Sequence, residues 1–297
     1  MIKYNPKTWN MWILLKGSII KRLLGGMIFL IILTTALCLL HIEFGIINIE
    51  ISSSLPGYMG AALGLLLVFR NNTAYDKWWE ARKILGALVN LSRNIAININ
   101  NLIPNQNEEK ERFINLLKAF PYALKEHLRS GVKMKELRMV AEPDLNYLKK
   151  SFHKPNAIAN KMQSYLNHMH KNGLVNDMQQ YLLLNNINEL IDILGKCERI
   201  KKTPIPISYA FLLKFFIIVY VLLIPFGLIK NMGWTTIPLT IALYYLLMSI
   251  VTIAEEIEDP FGYELNDLPV DEICKNIERN IDEILNDGHF TEDASLA

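Results

Sequence analysis

The sequence has little of what soluble enzymes rely on. It has three cysteines, Cys38, Cys197 and Cys274, spread across 297 residues. That spacing makes neither a metal knuckle nor a redox pair, and it implies no disulfide. There is no Gly-rich phosphate loop, no nucleophile elbow and no paired general acid and base, so the chain gives no footing for a hydrolase or a nucleotide-driven enzyme. No stretch alternates with the period of a strand, and no segment repeats. The pattern of many secondary transporters, an inverted repeat with matched broken spans, is missing as well. The apolar run after Lys21-Arg22 lacks a small-residue cleavage site and is expected to be a retained span.

Apolar residues are abundant. They make up 51% of the chain, and the mean hydropathy is +0.19. Both values are high for a soluble protein of this length and point to an all-α integral membrane protein. Four segments compete for the bilayer: residues 23–40, 55–69, 209–229 and 234–254. Each of the longer ones can cross a hydrocarbon core of roughly 30 Å. The second, at 15 residues, is short. Lys230-Asn231-Met232-Gly233 reads as the tight turn of a hairpin between the last two. Basic residues flank the spans on one side: Lys3, Lys7, Lys16, Lys21 and Arg22 before the first, Arg70, Lys77, Arg82 and Lys83 after the second, Lys201 and Lys202 before the third. The positive-inside rule makes that side cytoplasmic. A multi-pass protein of the cell inner membrane is expected, with both termini in the cytoplasm and the 41–54 loop outside.

Charge is distributed in blocks. Residues 70–202 carry 22 basic and 13 acidic groups, and residues 254–297 carry two basic and 14 acidic groups. Such blocks either meet after folding or stand as separately solvated faces. The chain therefore divides into residues 1–69 (an N-terminal segment and two spans), 70–205 (a large cytosolic helical region), 206–254 (two spans) and 255–297 (an acidic cytosolic segment). The second span is expected to run on without a break into a long helix to about residue 101. Pro104, Pro121, Pro143 and Pro155 are expected to punctuate shorter helices. Residues 178–200 read as another helix, with Leu183, Ile187, Leu190 and Leu194 at helical spacing. Thr203-Pro204-Ile205-Pro206 forms the linker back to the membrane.

The second span is the most informative. It opens on Pro56-Gly57 and holds Gly60, Ala61, Ala62 and Gly64, small residues that let helices approach closely in a bilayer. Ala61, Leu65 and Phe69 lie at i, i+4 and i+8, one stripe about 12 Å long. The stripe is either a helix-packing seam or, with several copies around an axis, a hydrophobic constriction that gates ions by dewetting.

Three stretches resemble the bestrophin family. Residues 69–82, Phe-Arg-Asn-Asn-Thr-Ala-Tyr-Asp-Lys-Trp-Trp-Glu-Ala-Arg, look like the bacterial signature at the end of the second helix. Within it, Lys77-Trp78-Trp79 is similar to the Arg-Trp-Trp of animal members. Glu255-Glu256-Ile257-Glu258-Asp259-Pro260-Phe261-Gly262 resembles the Asn-Pro-Phe-Gly element that follows the fourth helix. Ile205-Pro206-Ile207-Ser208-Tyr209 resembles the opening of the third. The likeness runs in order along nearly the whole chain. It implies a homopentameric ion channel passing small monovalent ions, with four membrane helices per subunit and the second lining one axial pore. It also implies a pore neck at Ala61, Leu65 and Phe69, where Ala61 is smaller than the family's usual aliphatic, and a cytosolic aperture at Gln179, Gln180 and Tyr181. Animal members conduct chloride, whereas bacterial members can pass monovalent cations. Animal members also hold Ca²⁺ in an acidic run after Pro-Phe-Gly. Here only Glu264 and Asp267, with Asn266, stand in that run, too few for the roughly six to eight oxygens calcium takes.

Glu255, Glu256, Glu258 and Asp259 either pair with Arg70, Lys77 and Arg82 or form a solvated helix end. His127, His153, His168 and His170 have no Cys or carboxylate at ligand spacing beside them, so no metal site and no cofactor are expected. Lys214 is near enough to the cytosolic end of its span to snorkel. Trp78 and Trp79 are an interfacial belt or a packing element. The expected partners are further copies of the chain, the lipid bilayer and permeant ions, with no nucleic acid. A secondary transporter and a membrane-anchored scaffold are the competing readings.

Overall fold

A computed structural model describes residues 19–46, 54–103, 107–129, 131 and 133–286. Among these residues every regular element is helical. Lys3, Lys7, Lys16, residues 47–53 of the expected outer loop and Pro104 lie outside them. The chain forms two compact units, Met1–Trp78 with Pro204–Asp267, and Trp79–Thr203 with Leu268–Ala297. Helix α2 (Ser54–Leu102) contributes to both as one continuous helix of 49 residues. It carries Pro56 in its first turn, where proline is tolerated, and no proline thereafter.

The first unit contains α1 (Ile19–Cys38), the start of α2, α7 (Ile207–Met232) and α8 (Thr236–Glu258). A π-helical turn, Leu39–Glu43, extends α1. The core of the unit is Leu30 of α1, Leu63 and Leu67 of α2, Leu213, Ile217 and Val221 of α7, and Val251 of α8. Glycine sets the approach distances. A Cβ on Gly26 would lie 2.0 Å from the Tyr244 hydroxyl, and one on Gly60 would lie 2.8 Å from that of Tyr220. Helix α7 passes through Pro225 without ending and continues over Lys230, Asn231 and Met232. The chain reverses later than the sequence reading places it, in Gly233–Thr235. The reason is local: Gly233 takes φ +51°, a conformation that side-chain-bearing residues disfavour.

The second unit contains the rest of α2, α3 (Glu108–Leu128), α4 (Glu142–Lys150), α5 (Lys154–Lys171), α6 (Asp177–Lys202) and α9 (Val270–Leu285). Helix α3 packs most extensively on α5, α5 on α6, and α9 on α3. Polar caps start the helices: Asn107 accepts from the Lys110 N–H at 2.7 Å, and Asn176 with Gln179 closes a reciprocal capping box on α6. Pro143 and Pro155 occupy the first turns of α4 and α5 as expected. Pro121 does not end a helix; it lies inside α3. It removes one backbone donor, yet the buried side chains Phe113, Leu117, Phe120 and Leu124 hold the helix through that turn.

The basic and acidic blocks meet within this unit. Helix α9 buries Val270, Cys274, Ile277 and Ile281 and turns its acids toward α3. Lys118 pairs with Asp282, Tyr122 donates to Glu278 at 2.6 Å, and Lys125 and Arg129 each reach Asp271 at 2.8 Å. Burial lowers the affinity of Lys125 for its proton, but bonds to Asp271, Glu136 and Glu126 outweigh it and raise the pKa above the ordinary range. Burial pushes the Cys197 and Cys274 thiols up to about 12, so neither offers a thiolate near neutral pH.

Candidate functional site

Two faces of α2 are occupied differently in the first unit. Leu63, Leu67, Arg70 and Ala74 are buried against the other helices. Ala61, Leu65 and Phe69 lie on the opposite, exposed face. Leu65 is 58% exposed and Phe69 57%. The stripe is thus not a packing seam between helices of one chain. It is an apolar surface that this subunit leaves uncovered.

The first charged residue after the stripe turns inward. Arg70 is 3% exposed and donates from Nη2 to Glu258 Oε2 at 2.9 Å. The second oxygen of Glu258 accepts the Ile205 backbone N–H at 2.7 Å. One carboxylate therefore ties α2 to the end of α8 and to the linker before α7. The Tyr209 hydroxyl adds a bond to the Leu66 carbonyl at 3.0 Å. Further along α2, the Trp78 indole donates to the Asn266 carbonyl at 3.0 Å, and Tyr75 stacks on Trp78 with ring centroids 6.1 Å apart. Asn266 in turn donates to Glu256 at 2.7 Å. The three stretches that carry the family resemblance, which begin at residues 69, 205 and 255, thus converge around one helix exit.

The expected charge partners are only partly those found. Arg70 takes Glu258. Glu255 pairs instead with Lys214 at 2.6 Å, and Glu256 lies 3.7 Å from Arg22. Lys214 thus meets a carboxylate at the end of α8. Arg82 is exposed and has no carboxylate partner among the described residues. Lys77, half-buried, belongs to the same turn as Trp78. Asp259 accepts the Gly262 N–H on its carbonyl at 3.3 Å, closing the Pro-Phe-Gly turn. Asp267 is buried behind that turn and accepts the Glu264 N–H at 2.6 Å. A Cβ on Gly262 would lie 2.6 Å from Asp267 Oδ2, so any larger residue there would have to displace that carboxylate. Burial, reinforced by Asp259, Glu264 and Glu256, raises the Asp267 pKa to about 6 against the pull of the Glu264 N–H.

At the start of α6, Gln179 is held in the capping box, and Gln180 donates to Asn167 at 2.8 Å. Both side chains hold local partners, and Asn176-x-x-Gln179 is the sequence signature of the cap. Tyr181 is 64% exposed, and Met178 beside it is 75% exposed. Elsewhere in the second unit the donor atoms of His127, His153 and Glu198 lie within 4.8 Å of one another, a grouping that sequence spacing did not suggest. His168 and His170 are not part of that group; His170 bonds to Asp177 at 2.7 Å.

Residues 1–283 match the profile of the bacterial/fungal bestrophin protein family. A voltage-dependent anion channel-forming protein of Nostoc sp. is 36% identical over 273 residues, which cover 90% of this chain and 87% of that one. A voltage-dependent anion channel-forming protein of Escherichia coli is 29% identical over 263 residues, with coverage of 88% and 86%. Among solved structures, a bacterial bestrophin homologue from Klebsiella pneumoniae superposes with a TM-score of 0.82 at 28% identity, covering 91% of this chain and 99% of that one. With its apolar helices, its converging signature segments and this match over nearly its full length, the chain is a membrane protein that belongs to the bacterial/fungal bestrophin family.

Proposed function

We propose that this chain is one subunit of a homopentameric ion channel of the cell inner membrane, passing monovalent anions along a pore lined by α2. The observation that carries the reading is the bare stripe of Ala61, Leu65 and Phe69 beside a packed opposite face. Five copies around an axis would turn those stripes toward one another and form an apolar neck that passes ions only when wetted. Ala61 makes the outer end of that neck wide and Phe69 makes the inner end narrow. The spans within 1–69 and 206–254 would hold the pore, and residues 70–205 and 255–297 would lie in the cytoplasm with both termini. Gln179, Gln180 and Tyr181, in the first turns of α6, are the candidates for the cytosolic aperture, and Tyr181 is the most exposed of the three. Relatives named as anion channel-forming proteins favour anions as the permeant class. The basic excess of residues 70–202 acts in the same direction by raising local anion concentration.

Purified protein recorded in a planar bilayer under an asymmetric NaCl gradient tests this. A reversal potential near the chloride equilibrium value is expected. A value near that of sodium would make the channel cation-selective and overturn the anion assignment. Pentameric protein that carries no current would overturn the channel reading itself.

A further inference from the structure

Three elements of the second unit bring their ends together at one point. His127 lies in the last turn of α3, His153 is the N-cap of α5, and Glu198 lies near the end of α6. Both imidazoles aim Nε2 at the same carboxylate oxygen: His127 at 2.6 Å and His153 at 2.9 Å from Glu198 Oε1. The two rings lie 4.3 Å apart at 44°. All three donor atoms fall within 4.8 Å of one another. The side chains are 25%, 28% and 22% exposed, so the cluster is held by its surroundings yet open to solvent.

We propose that His127, His153 and Glu198 form a binding site for a divalent transition-metal cation, with Zn²⁺ the best match. Two imidazoles and one carboxylate are a donor set for zinc and its neighbours, and a poor one for Ca²⁺ or Mg²⁺, which want an all-oxygen shell. In a tetrahedral site with metal–ligand bonds of about 2.0–2.1 Å, donor atoms stand about 3.3 Å apart. Each imidazole nitrogen here stands closer than that to Glu198 Oε1, drawn in by a hydrogen bond that a metal would replace. Three protein ligands leave the fourth position to water, so the site is an open one. Bound metal would cross-link the ends of α3 and α6 to the start of α5. Glu198 lies one turn before the Thr203–Pro206 linker, so the clamp would also pin the end of the helix that leads into it. The site would hold metal whether or not α2 lines a pore.

Two local groups set its strength. The Asn156 N–H rests on Nδ1 of His153 at 3.4 Å. Metal on Nε2 moves the ring proton to Nδ1 and breaks that long bond, so the start of α5 must adjust. Lys202 Nζ lies 3.3 Å from Glu198 Oε2 and competes for the carboxylate.

The test is isothermal titration of the full-length, chelator-treated protein in detergent with ZnCl₂. One Zn²⁺ per chain is expected, with no signal from MgCl₂. His153→Gln and Glu198→Gln should each weaken binding at least about tenfold. Glu198→Gln keeps an oxygen that both imidazoles can donate to, so it preserves the fold, and circular dichroism verifies this. Lys202→Gln should tighten binding by removing the competing cation. X-ray absorption at the zinc edge should report two imidazole nitrogens. Stoichiometric zinc that survives both ligand substitutions, or no binding by the wild-type chain, would overturn the proposal.

Discussion

Replacing Glu258 by glutamine removes the charge that neutralises Arg70 while keeping the shape of the side chain. The guanidinium is 3% exposed and its partner 15%, so the pair is shielded from water. Two unit charges about 4 Å apart at an effective dielectric constant near 20 attract by about 4 kcal/mol. Breaking a buried pair by deleting one partner costs about 3–5 kcal/mol, because the remaining charge is stranded. The glutamine amide would still offer one carbonyl oxygen, which can serve either Arg70 or the Ile205 N–H but not both as Glu258 does. The expected cost of Glu258→Gln is therefore about 3 kcal/mol, read as a lower midpoint of thermal unfolding of the detergent-solubilised protein. Arg70→Met in the same background removes the stranded charge. The double variant should recover at least ~1.5 kcal/mol relative to the sum of the single losses. Additive losses, or a single loss under ~0.5 kcal/mol, would mean that the contact is an incidental surface pair and that the latch between α2, α8 and the linker is held by other bonds.

Leu65→Ala and Phe69→Ala should each raise single-channel conductance in bilayer recordings, since both would widen and wet the proposed neck; unchanged conductance in both would remove α2 from the pore. Asp267 has its folded pKa raised from 3.8 to about 6. The folded chain thus holds this proton more tightly than the unfolded one, so stability is greatest below about pH 4 and declines as pH rises through 6, by at most about 3 kcal/mol. Unfolding midpoints measured from pH 4 to 7 should flatten in Asp267→Asn, and an equal slope in both proteins would refute the assignment. Gly26→Ala should cost about 1–3 kcal/mol, because its Cβ would meet Tyr244 at 2.0 Å. Gly25→Ala, with nothing within 4 Å, is the control and should leave the midpoint in place.

The long apolar helices, the unbroken α2, helix α6 and the proline linker were legible because each depends on local pattern. Hydropathy marks an apolar helix, and the lack of proline after Pro56 lets α2 run on. Local rules failed where packing overrides them. Pro121 reads as a breaker, yet Phe113, Leu117, Phe120 and Leu124 bury enough surface to keep α3 intact. The pairing of acids with bases was legible in kind but not in detail. Glu255, Glu256 and Glu258 share one helix end, and only the rotation of α8 sends them to Lys214, Arg22 and Arg70 respectively. The His127–His153–Glu198 group was out of reach, since the histidines stand 71 and 45 residues from the carboxylate and no spacing rule joins them.

The inward turn of Arg70 bears on how such a neck could select among ions. The stripe Ala61, Leu65 and Phe69 carries no charge, and the residue that follows it is a cation. In a pore lined by the stripe, an Arg70 facing the same way as Phe69 would add one positive charge per subunit to the inner mouth. Instead its guanidinium is buried and neutralised by Glu258. A neck built from the stripe would then present only apolar side chains, and discrimination by sign would have to come from dehydration cost or from charged groups further along the path. This makes a definite prediction for Glu258→Gln beyond its stability. Arg70, released from its partner, adds uncompensated positive potential beside Phe69, and the anion-to-cation permeability ratio should rise above the wild-type value, closing the gap that residual cation permeability leaves between the wild-type reversal potential and the chloride value in a NaCl gradient. The same shift should vanish in Arg70→Met/Glu258→Gln. An unchanged reversal potential in a folded, conducting Glu258→Gln protein would show that the potential of this pair does not reach the permeating ion, and the determinant of sign would then have to lie away from the inner end of the stripe.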